Sequence, residues 1–306
     1  MTARRTYWHL ADLGRRPTDY DIATSKLLYY PERGLETRPP LAGWFERYQQ
    51  GTALACSDWE KFRDPRETTY AKYTQLQRTK EAFVDGALRA AAAADHDRKL
   101  APAWLTELAG LVPVLRYPAH ALQMLAAHAG HLAPSGRIVV AFAFQAADEL
   151  RRVQWLAYRM RQLQGVVPGF GDDARQRWEA DPVWQPLREL IERLLVTYDW
   201  GEATIALACV LKPRFDELFG VQLAERARRA GDELFANIAF SLGEDAQWHR
   251  AWTRALVQVA LADRPANREP IARWLAHWTP LAQRAFAGFA WGDAQRIDAA
   301  AELELS

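Results

Sequence analysis

The stretch "AFAFQAADELRRVQWLAYRM", Ala141 to Met160, decides the fold. Its apolar residues recur three and four positions apart, the period of an amphipathic helix. Phe142, Ala146, Val153, Leu156 and Met160 form one stripe, and Glu149 and Arg152 stand on that same stripe. A stripe of this kind faces a core, so the helix is expected to carry an acid and a base inward. Buried charge is costly unless it is paired or bound to a metal. In a bundle that holds iron, the same i, i+3 spacing is Glu-x-x-His, which puts carboxylate and imidazole on one face. Here the second position is Arg, which has no lone pair to give a metal.

A second helix repeats the oddity. In "FANIAFSLGEDAQWHRAW" the stripe Phe235, Ile238, Ala239, Leu242, Ala246, His249, Trp252 and Leu256 faces inward, with Asp245 beside it. Ala246-x-x-His249 keeps the imidazole of the motif and loses the acid; Glu149-x-x-Arg152 keeps the acid and loses the imidazole.

Working outward, the chain from about Thr79 onward keeps a helical pattern. "KEAFVDGALRAAAAADHDRKL" is rich in strong helix formers. "LTELAGLVPVLRYPAHALQMLAAHAGHLAPSG" reads as a long helix interrupted at Pro113 and Pro118 and stopped by "APSG". The opening helix spans about Arg137 to Gln164, and "GVVPGFGDD" is a loop. Helix resumes at about Gln185, with Pro213 as a break or kink, and runs on to about Ala262. No alternating strands or hairpin signals occur. Residues 1–80 differ: they carry Pro31, Pro39 and Pro40, lack a long helical period, and hold many aromatics. They read as an extended arm, followed by a helical bundle over 81–262 and further helices over 263–306 packed on it. The arm's Trp8, Tyr20, Tyr29, Tyr30, Trp44, Trp59, Phe62, Tyr70 and Tyr73 need a surface to cover, on the chain's own helices or on a partner; they are the candidates for a partner interface.

Composition narrows the function. The chain has 39 basic and 38 acidic residues, a balance without the positive field that nucleic-acid binding needs. Its 2 cysteines make no disulfide framework and suit a reducing compartment, so a cytoplasmic location is expected. No leader-like segment and no run long enough to span a membrane is read. The 13 tryptophans are unusual, and large aromatics at this density suggest extensive packing surface. His128 and His131 share a helix face but have no acid or cysteine near them in sequence.

Several segments then fall together: "YDIATSKLLYY", "DWEKFRDPRETTYAKY", "RYPAHALQM", "APSGRI", "QAADELRR", "AYR", "YDWGEA", "LKP" and "EDAQWHRAW". With them the chain resembles, over nearly its whole length, the β subunit of the hydroxylase component of soluble di-iron multicomponent monooxygenases, the toluene/xylene type. The resemblance implies an all-α, ferritin-like (ribonucleotide-reductase-like) bundle with an extended N-terminal arm. It implies a non-catalytic chain with no cofactor or metal of its own, scaffolding an α subunit that holds the di-iron centre. It implies α and γ partners, two copies of each with two β, together with an effector protein, a Rieske-type ferredoxin and a flavin reductase. The complex would use O₂ to hydroxylate or epoxidise an aromatic or alkene hydrocarbon. Against the iron-bearing pattern, Glu149 with Arg152 and Ala246 with His249 stand at the two paired motifs. A third ligand position falls at about Lys212, and the first within Ala119–Gln123, where there is no acid. Glu149, Arg152, Lys212, Asp245, Ala246 and His249 are thus expected to mark a vestigial site, with the charged members forming a buried polar network. The alternative is a ferritin-like oxidase with an atypical metal site drawn from Asp148, Glu149, Asp199, Glu202, Glu244, Asp245 and His249, although Asp148 and Glu244 fall off the inward stripes.

Overall fold

The computed structural model describes residues 7–27, 41–294 and 297. Among them there is helix and no strand. Helices are labelled in chain order: α1 (Asp19–Thr24), α2 (Ala42–Phe45, continued as a π turn over Glu46–Gln50), α3 (Tyr70–Ala93), α4 (Pro102–His131), α5 (Gly136–Gln164), α6 (Ala174–Ala180), α7 (Gln185–Leu195), α8 (residues 200–229), α9 (Glu233–Asp263) and α10 (Arg268–Ala287). No described helix is long and apolar enough to cross a membrane.

Four long helices make the ferritin-like core. α4 packs along α5 over most of its length, α5 along α9, α9 along α8, and α8 back against α4. α5 and α8 therefore stand diagonally across the bundle and meet through side chains. α3 lies outside this square against α9, while α7 and α10 pack together and close the side occupied by α4 and α8. One apolar core runs from Leu54 and Phe62 through the bundle to Ala294, and a second, smaller one lies under α3.

Local chemistry explains the boundaries. Ser135 accepts from the Arg137 N–H and starts α5; Asp232 accepts from Phe235 N–H and starts α9; Asp199 accepts from Glu202 N–H and starts α8. Thr69 caps α3, so this helix begins at Tyr70 and residue 80 lies mid-helix. The irregular arm ends where that cap stands.

Two proline readings change. α4 runs unbroken through Pro113 and Pro118, both buried. Each proline removes a backbone bond, and the long apolar contact with α5 outweighs that loss. Pro213 does not break α8 either. It follows a π segment, Ala206–Leu211, and a second π segment, Glu217–Gln222, follows Lys212–Asp216. The wider turn takes up the clash a proline ring makes with the preceding turn.

Polar contacts fasten the arm in addition to the packing of Tyr20, Leu54 and Phe62. Asp21, fully buried, accepts from Arg15, Thr18, Arg63 and Arg137. Arg137, at the start of α5, also donates to Ser25 Oγ and to the carbonyls of Glu60 and Phe62. Asn267 pairs with Ala55 through both its amide oxygen and nitrogen.

α4 approaches α5 closely at Gly130, where a Cβ would lie 2.8 Å from Phe142 Cβ. Gly130→Ala should therefore lower stability by about 1–3 kcal/mol, although alanine favours helix, because overpacking at a tight crossing forces the helices apart. Thermal unfolding of the variant against the parent measures it.

Candidate functional site

The inward charges of α5 meet those of α8 in a closed ring. Lys212 Nζ lies 2.7 Å from Glu149 Oε1 and 2.7 Å from Asp216 Oδ2. Arg152 Nη2 lies 2.7 Å from Asp216 Oδ1, and its Nε 3.1 Å from Glu149 Oε2. Two cations and two anions alternate around the ring, and every member is buried. Phe215 closes one side, with the Arg152 guanidinium 5.4 Å from its ring centre. Burial works against the Asp216 carboxylate, but Lys212 and Arg152 hold it down at about 2. Burial likewise opposes the Arg152 charge, and Glu149 and Asp216 raise its pKa despite that. The two bases and two acids of the ring balance in formal charge.

A second cluster lies between α5, α9 and the outer helix α3. His249 Nε2 is 2.9 Å from Asp148 Oδ2. Asp148 Oδ1 accepts from Tyr73 Oη and Gln77 Nε2, each at 2.8 Å, and the same Gln77 nitrogen reaches Asp245 Oδ1 at 2.9 Å. Asp245 pairs with Lys80 and with Arg151, and Arg151 also binds Glu81 and Ser241. Burial, followed by the charge of Asp245, pushes the Asp148 carboxyl up to about 8. Burial, followed by Lys212, pushes His249 down to about 3. Asp148 Oδ2 and His249 Nε2 thus share one hydrogen bond, with the carboxyl pushed up and the imidazole pushed down. Among the described residues His249 Nδ1 has no hydrogen-bond partner, and neither does Trp252 Nε1 or either amide atom of the buried Gln145.

The structure thus brings Glu149, Arg152 and Lys212 together, joined by Asp216, and puts Asp245 and His249 in the neighbouring cluster. Ala246 is buried and lines an apolar cavity beside the ring. The wider set sorts itself differently. Asp148 is buried, against the stripe reading, because α3 covers a second face of α5. Glu244 is exposed. Glu202 accepts from Trp278 Nε1 at 2.9 Å, and Asp199 is spent on the α8 cap and Thr52. Among the described residues no group of three or more His, Cys, Asp or Glu side chains is arranged to hold a metal ion. The ring itself does not fit iron: Arg152 and Lys212 are each paired to both of its carboxylates, and a guanidinium has no lone pair to give a metal.

Of the aromatic arm residues, Tyr20 and Phe62 are buried within the chain, and Tyr73 stacks on Phe144 while bonding Asp148. Trp44 contacts Tyr48 and Tyr198, and Trp59 stands edge-on to Trp200. Trp8 and Tyr70 are 78% and 75% exposed. Tyr29 and Tyr30 lie outside the described residues.

Breaking the ring on one side leaves a buried charge alone. Lys212→Met should cost about 3–5 kcal/mol, and Glu149→Leu with Arg152→Leu and Asp216→Leu in the same background should recover most of it; chemical denaturation of the single and fourfold variants decides. A second outcome concerns pH. The Asp148 pKa is raised on folding, so its contribution to stability is complete below about pH 4 and is lost as pH rises through about 8, at most about 1.4 kcal/mol per pH unit. Asp148→Asn mimics the neutral carboxyl and should flatten that decline in a pH series of melting curves.

Comparison with known proteins agrees with this architecture. The model of the methane/phenol/alkene hydroxylase family matches residues 43–264. The chain is 35% identical over 288 residues to the hydroxylase component β subunit of the toluene-4-monooxygenase system of Ectopseudomonas mendocina, covering 92% of this chain and 88% of that one. It is 28% identical to the hydroxylase component small subunit of propane 2-monooxygenase of Rhodococcus jostii, covering 90% and 77%. Among solved structures, a chain of toluene 4-monooxygenase with toluene bound in its resting active site superposes with a TM-score of 0.87 at 34% identity, covering 93% of this chain and 96% of that one. A helical bundle whose core charges alternate in a closed ring, matched along nearly its whole length by hydroxylase β and small subunits, belongs to the methane/phenol/alkene hydroxylase family as a subunit of the β type.

Proposed function

We propose that this chain is the non-catalytic structural β subunit of a multicomponent di-iron hydroxylase. The complex uses O₂ to hydroxylate or epoxidise an aromatic or alkene hydrocarbon. This chain scaffolds the α subunit that carries the iron, in a complex with two copies each of α, β and γ. A Rieske-type ferredoxin, a flavin reductase and an effector protein complete the system in the cytoplasm. The relatives named above, subunits of toluene and propane monooxygenases, support the reaction class.

The observation that carries the reading is the ring. Its neutral set of two cations and two anions occupies the bundle interior and needs no metal to balance it. Glu149, Arg152, Lys212, Ala246, Asp245 and His249 read as the remnant of a metal site whose ligands were replaced, the first three bound in the ring and the last two in its neighbour. Exposed aromatic and apolar side chains support the scaffold role. Trp8 and Tyr70 project from the N-terminal region, and Met124, Leu150 and Tyr158 project from the outer faces of α4 and α5. Such side chains are the kind that anchor large obligate interfaces.

Iron per chain tests it. The chain purified alone should hold none, and the co-expressed complex should hold iron in proportion to its α subunit. Two irons per isolated β chain would overturn the proposal.

A further inference from the structure

A cavity of about 180 Å³ opens between α8 and α9 and reaches inward to Arg152 and Asp216 of the ring. Its apolar walls are Trp155, Leu156, Phe215, Phe219, Phe235 and Ile238, and the exposed Glu225, Arg228 and Glu244 stand at its rim. We propose that this cavity is a binding site for one neutral single-ring hydrocarbon, held by the β-type chain itself. The inference stands apart from the scaffold reading, because it concerns only this chain's own side chains.

Three observations fix the class of ligand. The first is size and polarity: an apolar protein cavity of roughly 150 Å³ takes benzene or xenon, and this one is slightly larger, with aromatic and aliphatic side chains along its interior and charged side chains at its exposed rim. The second is charge. The two ions at the inner end are committed to each other and to Glu149 and Lys212, so the inner end offers nothing to an ionic ligand. The third is a pair of glycines lining the cavity, one on each helix. Gly220 lies in the π segment of α8 and Gly243 in the middle of α9, and a Cβ built on either meets no atom within 4 Å. A mid-helix glycine costs about 0.5–1 kcal/mol relative to alanine. Gly130 and Gly201 are needed, since a Cβ there would strike Phe142 or Leu54. No packing neighbour demands glycine at 220 or 243; what their missing side chains leave is room.

The site's position beside Ala246 completes the argument. The small side chain faces the cavity where the sequence motif would carry an acid, so the space is apolar up to the ring.

The test uses crystals of the assembled hydroxylase exposed to bromobenzene below its aqueous saturation, read by anomalous scattering from bromine. The expected result is a bromine peak between α8 and α9 of this chain, displaced by excess toluene. The peak should disappear in Gly243→Leu and, from the opposite wall, in Gly220→Leu, with the melting temperature of the complex kept. A cavity without a peak, a peak that toluene does not displace, a peak that survives both substitutions, or a partner side chain seated in the space would each overturn the proposal.

Discussion

The ammonium of Lys212 sits at equal distance from two carboxylates, Glu149 on one helix and Asp216 on its own, and much of the bundle is arranged around that placement. An ion this deeply buried has lost its water, and only close, well-oriented counter-charges offset the loss. The ring offsets it with four contacts, two of which, Lys212–Glu149 and Arg152–Asp216, span the diagonal of the bundle. A diagonal contact fixes both helices relative to each other, where an apolar pair would tolerate a slide. The ring therefore specifies geometry more than it adds stability, and an all-leucine interior of the same volume could be as stable and less well defined.

The second cluster does the same for the outer layer. α3 has little apolar contact with the main core and only a small satellite core of its own with α5 and α9, built on Val84, Trp155 and Leu234. Tyr73, Gln77 and Lys80 reach past that layer to Asp148 and Asp245. Arg137 plays the matching part for the arm, donating to side chains of Asp21 and Ser25 and to carbonyls of Glu60 and Phe62, in two separate arm segments. Buried polar groups that bond across hold the outer helix and the irregular arm where apolar packing is sparse.

How far the sequence could be read follows from these facts. The 3.6-residue period gave the long helices, and the misplaced charges Glu149 and Arg152 pointed at the interior before any coordinates. Lys212 came only through the resemblance. Asp216 was missed, although Lys212 and Asp216 are four apart and an i, i+4 pair of that kind was open to inspection. Asp148 was placed off the inward stripe, and Arg151 was missed, for a deeper reason. A single stripe assumes that one side of a helix is buried, and α5 is covered by α4, α9 and α3 at once, so its buried arc is wider than the stripe. Nothing local to α5 announces that third neighbour. The prolines of α4 and α8 were misread because propensity is local and the compensation, packing in one case and a wider turn in the other, is not.

The two π segments of α8 have a consequence for how this helix can change. Each takes one extra residue into a wider turn, so six residues there turn the chain about as far as five would in an ordinary α-helix. Loss of that one residue would restore a regular α-helix and leave Lys212 and Asp216 facing the interior. The orientation of the ring is thus insulated from single-residue changes of chain length on either side of it. A deletion within Lys212–Asp216 itself has no such wide turn to absorb it and would rotate one member of the pair away from the other.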